Sequence, residues 1–147
     1  MKNLNLLIVE GNLQKENENF KKSGIETHTE SLKDSLAYYR KDLNIDVFNP
    51  CSEESFNKVI SKIKKYDGLI WGGSSLNIYN DCIEIRRQIA FMKECFKNIK
   101  KILGICWGMQ VAVTATCIPQ HIAKIFLIFL KHSFIKEICL RISIQSL

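Results

Sequence analysis

A short apolar run that stops at a cysteine held between two glycines constrains this chain more than any other feature. Lys100-Lys101-Ile102-Leu103-Gly104-Ile105-Cys106-Trp107-Gly108-Met109-Gln110-Val111-Ala112 reads as a strand followed at once by residues suited to a helix. A strand that turns directly into a helix lifts the side chain at the bend above the sheet edge, the arrangement of a nucleophile elbow. Gly104 and Gly108 suit such a bend, because the backbones approach closely where a Cβ would intrude. The start of a helix favours a thiolate, and the thiolate is the nucleophilic form of cysteine. The pattern also has a plainer reading, since free cysteine often packs as a small buried hydrophobe. The rest of the chain decides between the two.

Leu4 to Val9 reads as a buried strand, closed by Glu10-Gly11-Asn12. The polar stretch from Asn12 to Thr29 is expected to be a surface excursion with a single helical turn. Leu32, Leu36, Tyr39 and Leu43 then mark one face of a helix. Ile45-Asp46-Val47-Phe48 makes a second strand, stopped at Asn49-Pro50. Ser52 is a candidate cap for a helix with Glu53 and Glu54 in its first turn and Phe56, Val59, Ile60 and Ile63 on its buried face. Asp67 to Trp71 forms a third strand, ending in Gly72-Gly73-Ser74-Ser75. Asp81 and Glu84 are spaced as a capping box for a helix whose apolar stripe is Ile85, Ile89, Met92, Phe96 and Ile99. This alternation predicts a parallel sheet covered on both faces. Ligands bind such sheets beyond the carboxyl ends of the strands. The loops at Glu10-Gly11, Asn49-Pro50, Gly72-Gly73 and Cys106-Trp107 should therefore converge.

The 147 residues suit one domain with a single core. Cysteines at 51, 82, 95, 106, 117 and 139 form no C-x-x-C pair, which argues for reduced thiols and against a zinc site. The net charge of +6 is scattered, with little aromatic interleaving, so nucleic acid is not an expected partner. Leu6-Leu7-Ile8-Val9 is too short for a signal core, and no stretch reaches the roughly 20 apolar residues that span a bilayer. A cytoplasmic protein without membrane contact is the expectation.

Acyl transfer by cysteine requires an activated thiol, a base and donors for the oxyanion. Cys106 is the candidate thiol, and the backbone N–H groups of Trp107 and Gly73 are candidate donors. Gly104-Ile105-Cys106-Trp107-Gly108-Met109-Gln110, preceded by Tyr66-Asp67-Gly68-Leu69-Ile70-Trp71-Gly72-Gly73-Ser74-Ser75, resembles the class I glutamine amidotransferases. It is similar in particular to stand-alone members related to the glutaminase domain of GMP synthase, over residues 1–115. The resemblance implies a flavodoxin-like three-layer α/β fold with a mostly parallel sheet. It also implies that Cys106 attacks the side-chain amide of glutamine and forms a thioester, with Gly73 and Trp107 as the oxyanion hole. Gly72, Gly108 and Gln110 would contact the substrate. The implied substrate is glutamine, and the implied partner is an ammonia-accepting synthase domain or subunit. No cofactor and no metal are implied.

That family places a His-x-Glu pair downstream of the cysteine, the histidine as base and the glutamate to orient it. No His-x-Glu occurs in these residues. His28 falls in the early polar stretch and is expected to be solvated. His121 would be carried roughly 15–20 Å from Cys106 by a continuing helix. His132 is followed only by Glu137, at the wrong spacing. Every glycine lies at or before residue 108, and beyond Thr116 the basic residues Lys124, Lys131, Lys136 and Arg141 face Glu137 alone. Residues 116–147 are therefore expected not to be family sequence, which leaves the fold incomplete at the C-terminus and the glutaminase chemistry impaired. The alternatives are a catalytically silent binding protein of the same fold or a γ-glutamyl hydrolase-like relative. A shift of reading frame near Thr116 would explain the tail. Translation of the downstream DNA in its other frames should then reveal a glycine-rich continuation with His-x-Glu, and finding none removes the idea.

Overall fold

Parallel strands have to be joined by crossovers, and the alternation in the sequence is built that way. The computed structural model describes residues 3–51 and 53–116. Along them run β1 (Leu4–Val9), α1 (Gln14–Lys22), α2 (His28–Tyr39), β2 (Leu43–Phe48) and α3 (Glu53–Lys62). A 3-10 turn at Ile63–Lys65 follows, then β3 (Gly68–Trp71), α4 (Ile83–Asn98), β4 (Ile102–Gly104) and α5 (Trp107–Thr116). The strands form one sheet in the order β2-β1-β3-β4, with every neighbouring pair parallel. This is the α/β architecture expected. The expectations for residues 117–147, for the cap at Ser52 and for the first-turn acids Glu53 and Glu54 lie outside the described residues and side chains.

Successive strand residues point to opposite faces of a sheet. Leu7, Val9, Leu69 and Trp71 face one way and join a buried cluster with Phe48, Phe91, Met92, Trp107 and Val111. Phe56, Val59 and Ile60 of α3 pack against that cluster, and Ile63 is buried within it, as the spacing predicts. Ile8 and Ile70, also buried, face the other way. The connection from β1 to β2 covers that second face, with α2 lying against both strands.

Three elements depart from the sequence reading. The stretch after Asn12 holds a nine-residue helix, α1, rather than a single turn. None of its residues is buried, so it carries no apolar period to read. Its end is nevertheless conventional: Gly24 takes a left-handed φ of 70° while Ile25 N–H donates to Phe20 O and Gly24 N–H to Lys21 O. The second helix stops at Tyr39, which is exposed, and Leu43 opens β2 instead. Arg40 donates to both carboxylate oxygens of Asp42 at 2.7 and 2.6 Å, within the turn that makes the break.

In α4, Asp81 does not cap the helix. It pairs with Arg86, and Cys82 occupies the cap position without a side-chain hydrogen bond. The buried residues are Ile85, Gln88, Phe91, Met92, Cys95 and, just past the end, Ile99, whereas Phe96 faces solvent. Phe91 is drawn inward by aromatic neighbours, with ring centroids 4.6 Å from Phe48, 5.8 Å from Phe56 and 6.0 Å from Trp71. That rotation of the stripe brings a glutamine into the core. No helix among the described residues is long and apolar enough to cross a membrane.

Asp46 ties the edge strand β2 to the turn before β3. Its Oδ2 accepts hydrogen bonds from Lys65 Nζ and Tyr66 Oη, both at 2.7 Å. Those bonds hold the Asp46 carboxyl below its ordinary pKa, the lysine contributing most. A depressed carboxyl stabilises the fold fully above the unfolded value, about 3.9, and the effect fades as pH falls through the lower folded value. Both ions are about half exposed, so the pair contributes less than about 1 kcal/mol. Asp46→Asn should lower stability by that modest amount at pH 7 and by progressively less below pH ~4 in urea denaturation.

Candidate active site

The elbow is created by how closely α5 lies on β3. Ile105 N–H donates to Trp71 O at 2.8 Å, and Gly108 N–H donates to Gly72 O at 3.0 Å. A Cβ on Gly108 would fall inside the van der Waals shell of Trp71 O and 2.6 Å from Trp71 Cβ. A Cβ on Gly104 would lie 2.9 Å from Gly108 C and Met109 N. Both glycines are therefore demanded by backbone contact. Between them Cys106 takes φ 53°, the one positive φ at a non-glycine among the described residues. It is exposed, and α5 begins at the next residue.

The loops that the sequence reading sends to one edge are laced together there. Ser74 Oγ donates to Gly11 O at 3.0 Å, and Ser75 N–H to Asn12 Oδ1 at 2.9 Å, which joins the ends of β3 and β1. Asn49 Nδ2 donates to Asn12 O at 2.9 Å and brings in the end of β2. Asn12 N–H in turn donates to the buried Glu10 carboxylate at 2.8 Å. The Trp107 indole, fully buried, crosses from α5 to this set: a Cβ on Gly11 would lie 2.6 Å from Trp107 Cδ1.

The structure thus brings Gly72, Cys106, Trp107 and Gly108 together. Gln110 lies half-buried in the first turn of α5, its N–H donating to Cys106 O at 3.2 Å. His28, expected to be solvated, is exposed, but its imidazole also lies against the loop: a Cβ on Gly73 would be 3.5 Å from its Cδ2 and 3.6 Å from its Nε2. Sequence reasoning missed that contact, which joins residues far apart in the chain, and it missed Asn12 and Gln88. A polar groove lined by residues including Glu10, Lys21, Thr29, Glu30, Asn49 and Cys51 opens beside α1 and α2, and Cys106 does not line it. His121, His132 and Glu137 lie outside the described residues.

Cys51, Cys82, Cys95 and Cys106 are free thiols. Burial pushes the Cys51 thiol up to about 11 and raises that of Cys95 as well, so neither is a ready nucleophile at neutral pH. Cys106 combines exposure with a bent backbone at a helix start. A left-handed conformation costs a non-glycine residue roughly 1–2 kcal/mol. Cys106→Gly should consequently be more stable than Cys106→Ala by about 1 kcal/mol in chemical denaturation, and equal stability would show the bend to be unstrained.

The family model described as glutamine amidotransferase class-I matches residues 25–132. Among curated proteins the chain is similar to a gamma-glutamyl-L-1-hydroxyisopropylamide hydrolase from Pseudomonas sp, 28% identical over 126 residues. That alignment takes in 84% of this chain and 42% of the relative, so the chain spans less than half the relative's length. No solved structure matches. With a family match across most of its length and a cysteine elbow in the matched region, the chain belongs to the class I glutamine amidotransferase family.

Proposed function

We propose that Cys106 carries out glutaminase-type acyl transfer. Its sulfur attacks the side-chain carbonyl carbon of glutamine. The C–N bond breaks, ammonia leaves with the thiol proton, and a γ-glutamyl thioester remains on the protein. The backbone N–H groups of Gly73 and Trp107 stabilise the oxyanion, while Gly72, Gly108 and Gln110 hold the substrate. The observation that carries this reading is the exposed Cys106 at φ 53°, with Gly72 bonded directly to the first turn of α5. Ammonia would pass to an acceptor on a synthase domain or subunit, and the site needs no metal or cofactor. A cytoplasmic setting suits reduced thiols.

These residues contain no His-x-Glu pair. General-base catalysis contributes on the order of 10²–10⁴-fold. Without that base little turnover is expected, and Cys106 still reacts slowly, because the helix start that favours its thiolate is local to it. The Pseudomonas relative supports a second reading, in which the group that leaves is the amine of a γ-glutamyl alkylamide rather than ammonia, and water takes the γ-glutamyl group from the thioester in either case. Comparing amine release from a γ-glutamyl alkylamide with ammonia release from glutamine separates the two.

The thiol itself is tested with 6-diazo-5-oxo-norleucine, an electrophile shaped like glutamine. Intact mass and peptide mapping should place one label on Cys106, leave Cys51 and Cys95 free, and find none on Cys106→Ala. Labelling that survives Cys106→Ala, or no labelling of the wild type, sinks the proposal in favour of a silent binding protein.

A further inference from the structure

Gln88 is a buried amide within an otherwise apolar stripe of α4, at 0% exposure. Burying an amide costs free energy unless its hydrogen bonds are made. Here they are made, and all of them reach the edge where the elbow sits. Gln88 Oε1 accepts the Trp107 indole N–H at 2.6 Å. Gln88 Nε2 donates to Gly11 O at 3.0 Å and to Cys51 Sγ at 3.2 Å. The orientation of the amide is unambiguous, because an indole N–H can only donate and a backbone carbonyl can only accept. One side chain therefore ties together the loop after β1, the loop after β2 and the start of α5.

We infer that Gln88 is a positioning residue for the reaction at Cys106, acting through the Trp107 ring. This rests on the reading of Cys106 as the nucleophile and Trp107 N–H as an oxyanion donor. Trp107 follows Cys106 directly, so the peptide joining them carries that N–H. The indole is held at its nitrogen by Gln88 and packed at Cδ1 against the Gly11 backbone. With the ring fixed at both points, the side chain of residue 107 cannot turn, and the 106–107 peptide keeps its aim. Loss of the Gln88 bond frees the ring without touching substrate.

The test compares wild type, Gln88→Leu, Trp107→Phe and the double variant, each first shown by circular dichroism to be folded. Cys106 modification by 6-diazo-5-oxo-norleucine needs the oxyanion site, whereas iodoacetamide needs only an accessible thiol. Gln88→Leu should slow the first reaction at least about tenfold, since small misplacements at a reacting centre cost that much or more. It should leave the second within about twofold. In the Trp107→Phe background, adding Gln88→Leu should produce no further loss with the norleucine reagent, because the one bond through which Gln88 acts on the 106–107 peptide is already gone, although those to Gly11 and Cys51 are lost as well.

Equal slowing with both reagents, no slowing, or a full additional loss in the Trp107→Phe background overturns the inference. If Gln88→Leu does not fold, Trp107→Phe removes the same bond from its other end, and a norleucine reaction at the wild-type rate then overturns it. A wild type that reacts with iodoacetamide but not with the norleucine reagent removes the proposed function, and this inference with it. A reactive wild type with an equally reactive Gln88→Leu removes the inference alone.

Discussion

The first turn of α5 rests directly on the last residue of β3, backbone against backbone, and the site depends on that contact. It exists because positions 104 and 108 lack side chains, and it is held by hydrogen bonds from Ile105 to Trp71 and from Gly108 to Gly72. A conventional loop would let the chain relax after β4. Here the chain turns within two residues, and the strain is concentrated at Cys106. The cost, roughly 1–2 kcal/mol, is of the size that two such hydrogen bonds offset. The bend leaves Cys106 exposed at a helix start, with Gly72 hydrogen-bonded to the first turn of α5.

The strand order changes direction between β1 and β3, since β1 leads to β2 on one side and the chain then returns to β3 on the other. In open α/β sheets that reversal leaves a crevice where ligands commonly sit. In this protein the Trp107 indole reaches into that region and packs on Gly11, while Ser74 and Ser75 bond across it to Gly11 and Asn12. The space beyond β1 and β3 is thus built over with protein groups. The bend at Cys106 is displaced toward β4, and the filled crevice lies beneath it. An exposed thiol on a flexible loop could react, but it could not hold an amide carbonyl against fixed donors.

Environment also separates Cys51 and Cys95 from Cys106. Cys95 lies in the core behind α4 and Cys51 beneath Gln88, and burial raises both. Such thiols behave as small apolar groups with weak hydrogen-bonding capacity. Cys106 differs in backbone conformation and exposure, which follow from its place between the two glycines rather than from its residue type.

The elements that were legible in the sequence are those whose pattern reflects local burial or backbone need. β1 and β3 are apolar runs because both faces are covered, and Gly104 and Gly108 bracket Cys106 because nothing larger fits. The convergence of loops followed from parallel topology alone. α1 was not legible, since an exposed polar helix has no apolar rhythm, although the Thr27-x-x-Glu30 capping box and Gly24 beside it are readable signals. Gln88 was partly legible: it falls three residues after Ile85 and four before Met92, on the buried stripe. By itself the sequence determined the parallel α/β class, the family and the bend that holds Cys106, because these rest on spacing along one chain. Only the tertiary structure decided that Trp107 fills the crevice, that Gln88 holds it and that His28 lies against Gly73. Those contacts join residues distant in sequence, and no local pattern encodes which polar side chain meets which buried partner.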